Sequence, residues 1–79
     1  MKLSEWNEIL SYAKELCSKA NADLRPIVYT MYDGRKGINL TLFDDEGSIF
    51  KAMASGVYDT VGEYKRALYA QYGLISSFF

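Results

Sequence analysis

Apolar residues recur at every third or fourth position near the start of the chain: Trp6, Ile9, Leu10, Ala13, Leu16, Cys17 and Ala20. That spacing is one face of an amphipathic helix and predicts a helix over residues 4–20. Ser4 stands where an N-cap belongs, and Glu5 and Glu8 suit the positive end of the helix dipole. Lys19 falls in the last turn, and Asn21 can take the left-handed conformation that closes a helix. After the polar connection 21–25, Pro26 disfavours helix at Arg25 and opens an extended segment. Ile27 to Tyr32 is β-branched and aromatic and predicts a first strand. Asp33-Gly34-Arg35-Lys36-Gly37 is a turn cluster; Asp-Gly between two apolar runs signals a hairpin, and Gly37 points to a longer loop or a bulge. Ile38-Asn39-Leu40-Thr41-Leu42 alternates strictly, so a second strand has one buried face and one polar face, with Phe43 on the polar side.

Asp44-Asp45-Glu46-Gly47-Ser48 predicts a second turn. The run Ile49 to Ala54 has alanines and a methionine that suit a helix. It is nonetheless short, follows a hairpin turn and stops at Ser55-Gly56, so it reads as a third strand. Thr60-Val61-Gly62-Glu63 is a capping box, with Asp59 an equally good cap. Val61, Tyr64, Ala67, Leu68 and Tyr72 keep a helical period up to Gly73, a C-terminal glycine cap, which predicts a second helix over 60–72. Residues 74–79 form a short apolar tail.

The expected architecture is α+β, with a three-stranded antiparallel meander and two helices packed on one of its faces. Trp6, Ile9, Leu10, Ala13, Leu16, Cys17, Ile27, Tyr29, Met31, Ile38, Leu40, Leu42, Tyr64 and Leu68 are the expected core. Val28, Thr30 and Tyr32 then share the open face with Asn39, Thr41 and Phe43.

Composition narrows the chemistry. The 79 residues are 49% hydrophobic and 24% charged, ordinary values for one globular domain. With no histidine and one cysteine, Ser-His triads, Cys-His dyads, zinc-histidine sites and internal disulfides are excluded. Nine basic residues stand against ten acidic ones, so there is no general pull toward nucleic acid or anionic lipid. Glu5, Asn7 and Glu8 interrupt any signal-peptide core, and no stretch approaches the ~20 apolar residues of a membrane span. A cytoplasmic chain without membrane association is expected. No cofactor is expected either, because neither a phosphate-binding loop nor a dinucleotide fingerprint occurs. The acidic run 44–46 lacks the spacing of a calcium loop and reads as a solvated turn. Cys17 lies on the apolar helix face and reads as core packing. No catalytic or metal-binding residues are nominated.

The order helix–strand–strand–strand–helix over Ser4 to Tyr72 is similar in topology to the double-stranded RNA-binding domain. That family carries a Gly-Pro-x-His loop between its first two strands and a Lys-Lys-x-x-Lys cluster at its second helix. This chain has Asp33-Gly34-Arg35-Lys36-Gly37 and Thr60-Val61-Gly62-Glu63 there, with Lys65 and Arg66 later in the helix. The resemblance implies the fold, and it makes Arg35, Lys36, Lys65 and Arg66 the candidate contacts of an alternative, nucleic-acid-binding function that the net charge disfavours.

Aromatic residues are the remaining peculiarity, at 15% of the chain with seven tyrosines. Tyrosine offers large contact area with few rotatable bonds and is enriched at interfaces. The leading expectation is therefore a non-enzymatic protein-interaction module. It binds a protein partner of unknown identity, or a second copy of itself, through Tyr32, Phe43, Tyr69, Phe78 and Phe79. Small domains of this kind are common among regulators and inhibitors carried by phages and mobile elements.

Overall fold

The computed structural model describes residues 1–54 and 56–79. Its elements follow the expected order: α1 (Leu3–Ser18), β1 (Asp23–Thr30), β2 (Lys36–Phe43), β3 (Ile49–Ala54), α2 (Val61–Ile75) and a closing 3-10 turn (Ser76–Phe78). The strands form one antiparallel sheet in the order β1-β2-β3. Both helices lie over one face of it, α1 against β1 and α2 against β2 and β3, and the two helices touch each other.

β2 fixes this arrangement. Ile38, Leu40 and Leu42 point to the helices and are buried together with Ile9, Ala13, Leu16 and Cys17 of α1 and Tyr64, Leu68 and Ile75 of α2. The strict alternation in the sequence thus gives the buried face of the central strand correctly. The first turn holds Gly34 at φ +87°, and the second holds Gly47 at φ +82°, a region that side chains with a Cβ rarely enter.

The phase of β1 is the opposite of that expected. The register sets Leu24 against Leu42, Pro26 against Leu40 and Val28 against Ile38. Cross-strand partners share a face, so Leu24, Pro26 and Val28 turn toward the helices and Arg25, Ile27 and Tyr29 toward the open face. Leu24 is buried, whereas the expected core residues Ile27 and Met31 are 43% and 41% exposed; Val28, toward the end of the strand, is 41% exposed as well, so the register and Leu24 set the phase. The strand also starts at Asp23, four residues ahead of the expected Ile27. Gly37 is neither loop nor bulge: it pairs with Tyr29, whose phenol ring occupies the space that a Cβ on Gly37 would need.

Helix ends depart from their sequence signals too. α1 begins at Leu3, and Glu5 reaches back to accept from the Lys2 backbone N–H at 3.0 Å, so Lys2 rather than Ser4 is the cap. Asn21 does not take the left-handed conformation; the helix tightens instead through Lys19 and Ala20 N–H groups that donate to Leu16 and Cys17 carbonyls. α2 is capped by Thr60 as expected, its hydroxyl accepting from the Glu63 N–H at 3.2 Å. It then runs through Gly73 to Ile75. The reason is burial: Tyr64, Leu68, Gln71 and Ile75 continue one stripe, and Ile75 is fully buried. The expected strand stop at Ser55 lies outside the described residues.

The reversed phase of β1 has a direct test. Leu24→Ala is expected to cost about 2–5 kcal/mol, the range for a large-to-small core change, and Ile27→Ala about 1 kcal/mol or less. Chemical denaturation of both variants checks this; equal losses would contradict the register.

Candidate functional site

One end of the sheet gathers aromatic side chains. Pairing between β2 and β3 shifts at its lower end: Leu42 faces Lys51, but Phe43 faces Ile49. Phe50 is the extra residue. A bulge breaks the strand's alternation and bends it, and here both Phe50 and the next residue, Lys51, reach Phe78. The Phe50 and Phe78 ring centroids are 6.3 Å apart in an edge arrangement, and Lys51 Nζ lies 5.1 Å from the Phe78 centroid. Phe43, Phe50, Phe78 and Phe79 line one hollow of about 230 Å³, bordered by Asp44 and Asp45. Ile49, Phe50, Phe78 and Phe79 are each more than two-fifths exposed. The turn beside them spends one carboxylate on itself: Asp44 Oδ1 accepts from the Glu46 and Ser48 N–H groups, both at 2.9 Å.

A second surface lies at the opposite end. Arg35 and Lys36 border a cleft of about 180 Å³ with Trp6, Tyr58, Asp59 and Tyr64. Tyr64 organises it. Its hydroxyl donates to the Lys36 carbonyl at 2.6 Å, and its buried ring meets Trp6 and Tyr58 edge-on at 5.6 and 5.2 Å. The cations are largely committed. Arg35 is paired with Asp33 at 2.6 Å, and the Arg35 backbone N–H, with its guanidinium after it, holds the Asp33 carboxyl below its usual range. Lys36 sits 6.0 Å from the Trp6 ring centroid. Lys65 pairs with Glu8 at 2.9 Å and lies over Tyr12, outside the cleft. Arg66 does not line the cleft either. The four candidate nucleic-acid contacts therefore do not form one patch.

The candidate interaction residues divide as well. Phe43, Phe78 and Phe79 converge, with Phe43 also under the Arg25 guanidinium at 4.4 Å. Tyr69 is 67% exposed in a separate groove of about 400 Å³ with Leu16, Lys19 and Tyr72; Tyr72 in turn meets Phe79 at 6.2 Å. Tyr32 is fully exposed near the tip of the first hairpin, far from the others in the sheet. Sequence reasoning missed Ile49 and Phe50. The signal was present: a third strand at the sheet edge with one charged residue, Lys51, exposes whatever apolar groups it does not bury.

The chain is thus a small α+β domain with its helices on one sheet face. Comparison with protein-family models, with curated proteins and with solved structures finds no match. Among the described residues, no helix is long and apolar enough to cross a membrane, and no group of three or more His, Cys, Asp or Glu side chains is placed to hold a metal ion.

Cys17 is buried, and desolvation pushes its thiol up to about 11. The thiolate is the reactive form, so at pH 8 alkylation by iodoacetamide is expected to be slow in the folded protein and to accelerate as denaturant unfolds it. Labelling of the native protein at the rate of a free thiol would show that α1 leaves this side chain open.

Proposed function

We propose that this chain is a non-enzymatic protein-interaction module that docks a protein through the aromatic end of the sheet. The observation that carries the reading is the set Phe50, Phe78 and Phe79: large apolar side chains, exposed, gathered in one hollow with Phe43, and bordered by the carboxylates of one turn, with exposed Ile49 beside Phe43. Exposed apolar clusters with polar rims mark association surfaces. The nucleic-acid alternative draws less support, because Arg35 and Lys65 already have carboxylate partners. A role as a regulator or inhibitor of the kind carried by phages and mobile elements, in the cytoplasm, fits a domain of this size with a single buried thiol.

The test is capture from cells of the source organism by the immobilised chain, beside a Phe50→Ser/Phe78→Ser variant. Both substitutions lie on exposed rings, so the fold is expected to survive, with a loss of about 1 kcal/mol or less. A protein retained by the native chain and lost by the folded variant supports the reading. Equal retention by both, or retention of nucleic acid that washes off steeply with salt, contradicts it.

A further inference from the structure

The two outer strands of the sheet are unequal. In the first turn, the Met31 N–H donates to the Arg35 carbonyl at 2.8 Å, and Met31 continues the β1–β2 register. Backbone groups of alternate residues point to opposite sides of a strand. Residues 23, 25, 27 and 29 therefore turn their N–H and C=O groups to β2, and Pro26 turns its nitrogen outward. A proline facing outward blocks an edge. The same alternation carried across β2 sends the even residues of β2 toward β3. The Lys36 carbonyl conforms, since it points past the end of β3 and is taken by Tyr64. Lys51 and Met53 then bond to β2, while Ala52 and Ala54 present their backbone groups to solvent. No proline and one lysine guard this edge.

We propose that β3 is the pairing edge for a second copy of the chain, joined antiparallel about a two-fold axis at Ala52 to make a continuous six-stranded sheet. This rests on the protein-interaction reading and names its partner. Pairing about Ala52 sets Lys51 opposite Met53, so unlike side chains face each other on both sides of the axis. Pairing one step earlier would oppose Lys51 with its own copy, which is unfavourable.

Charge favours the same arrangement. The antiparallel axis inverts the second copy. Lys36 lies three positions from Asn39, the partner of Ala54. In the joined sheet, Lys36 of the second copy therefore falls level with the acidic turn 44–48, two strands from its Ser48 side and three from Asp44, or about 10–14 Å. Lys36, Asp44, Asp45 and Glu46 enter no ion pair among the described residues. A two-fold axis thus brings unlike charges that enter no ion pair toward each other at both ends, at one to two screening lengths of about 8–10 Å. The apolar cluster flanks this edge. Ile49, Phe50, Phe78 and Phe79 leave on the order of 400 Å² in water, about half of what each partner buries in a standard interface. The bulge at Phe50 limits regular pairing to residues 51–53 of each copy, which makes the dimer reversible.

Sedimentation and disulfide trapping test the proposal. Facing residues of an antiparallel pair are about 5.5 Å apart, a separation that a disulfide spans. Ala52→Cys is expected to trap a dimer under mild oxidation at pH 8, and Ile27→Cys on β1 is not; buried Cys17 does not compete. The native chain is expected to sediment at twice its 9.0 kDa at high micromolar concentration. Ala52→Pro removes only an outward N–H, so its circular dichroism should match the native chain while self-association weakens by about tenfold or more. If Ala52→Pro fails to fold, the Ala52→Cys trapping still decides. A chain that stays monomeric, or a dimer that Ala52→Cys does not trap, overturns the proposal. Capture of a foreign protein through Phe50 and Phe78 by such a monomer would leave the interaction reading intact.

Discussion

A sheet of three strands has one interior strand, and only that strand can bury a complete face. β2 meets the requirement with Ile38, Leu40 and Leu42, which are all buried on the helix side. At 79 residues there is not enough chain to cover both faces and both edges, because small domains bury a lower share of their surface than large ones. Both helices are therefore spent on one face. The open face and the two edges are what remains for function, and the fold treats each of them differently.

Tyr64 ties the covered side together. It is a residue of α2, its ring lies against Trp6 of α1, and its hydroxyl satisfies the Lys36 carbonyl, the first carbonyl of β2. A buried phenol with a hydrogen-bond partner combines large apolar burial with a polar anchor. That one side chain sets the height of α2 along the sheet. Tyr58 adds a second edge contact and holds the connection into α2 over the same spot. The cleft bordered by Arg35 and Lys36 is a by-product of this packing, which explains why its cations are close together yet mostly engaged.

Much of this was legible in the sequence, and the gaps have physical causes. The order of elements, the six-residue third strand, the Thr60 cap and the buried face of β2 all follow from periodicity and turn chemistry. The phase of β1 does not. Ile27-Val28-Tyr29 is apolar in both registers, so hydrophobicity cannot say which face turns inward, and the deciding residue, Leu24, lies ahead of the proline. Pairing with β2 fixes the phase, and pairing is not a local property. At the far end, Gly73 resembles a cap, yet the stripe Tyr64, Leu68, Gln71, Ile75 continues past it. There the burial of Ile75 outweighs the ~1 kcal/mol that a glycine costs inside a helix. Of the candidate interaction residues, Phe43, Phe78 and Phe79 could be named from composition. Their convergence with Phe50 could not, because it depends on a bulge that no residue in the run announces.

The open face and the β3 edge are not equivalent as binding surfaces. On the open face, Thr41 is 3% exposed and Asn39 Oδ1 is buried with no hydrogen-bond partner among the described residues. Long side chains of β1 lie across the same face: Arg25 over Phe43, and Tyr29 over Gly37. The face is roofed by its own residues. An apolar partner laid on it would have to displace that roof and give up the contacts that Arg25 and Tyr29 make there. The β3 edge carries no such cost. Its outward groups at Ala52 and Ala54 are hydrated until another strand replaces the water, and alanines there bring no bulk to move. Of the surfaces this small fold leaves uncovered, the edge is the one whose occupation completes hydrogen bonds rather than breaking contacts already made.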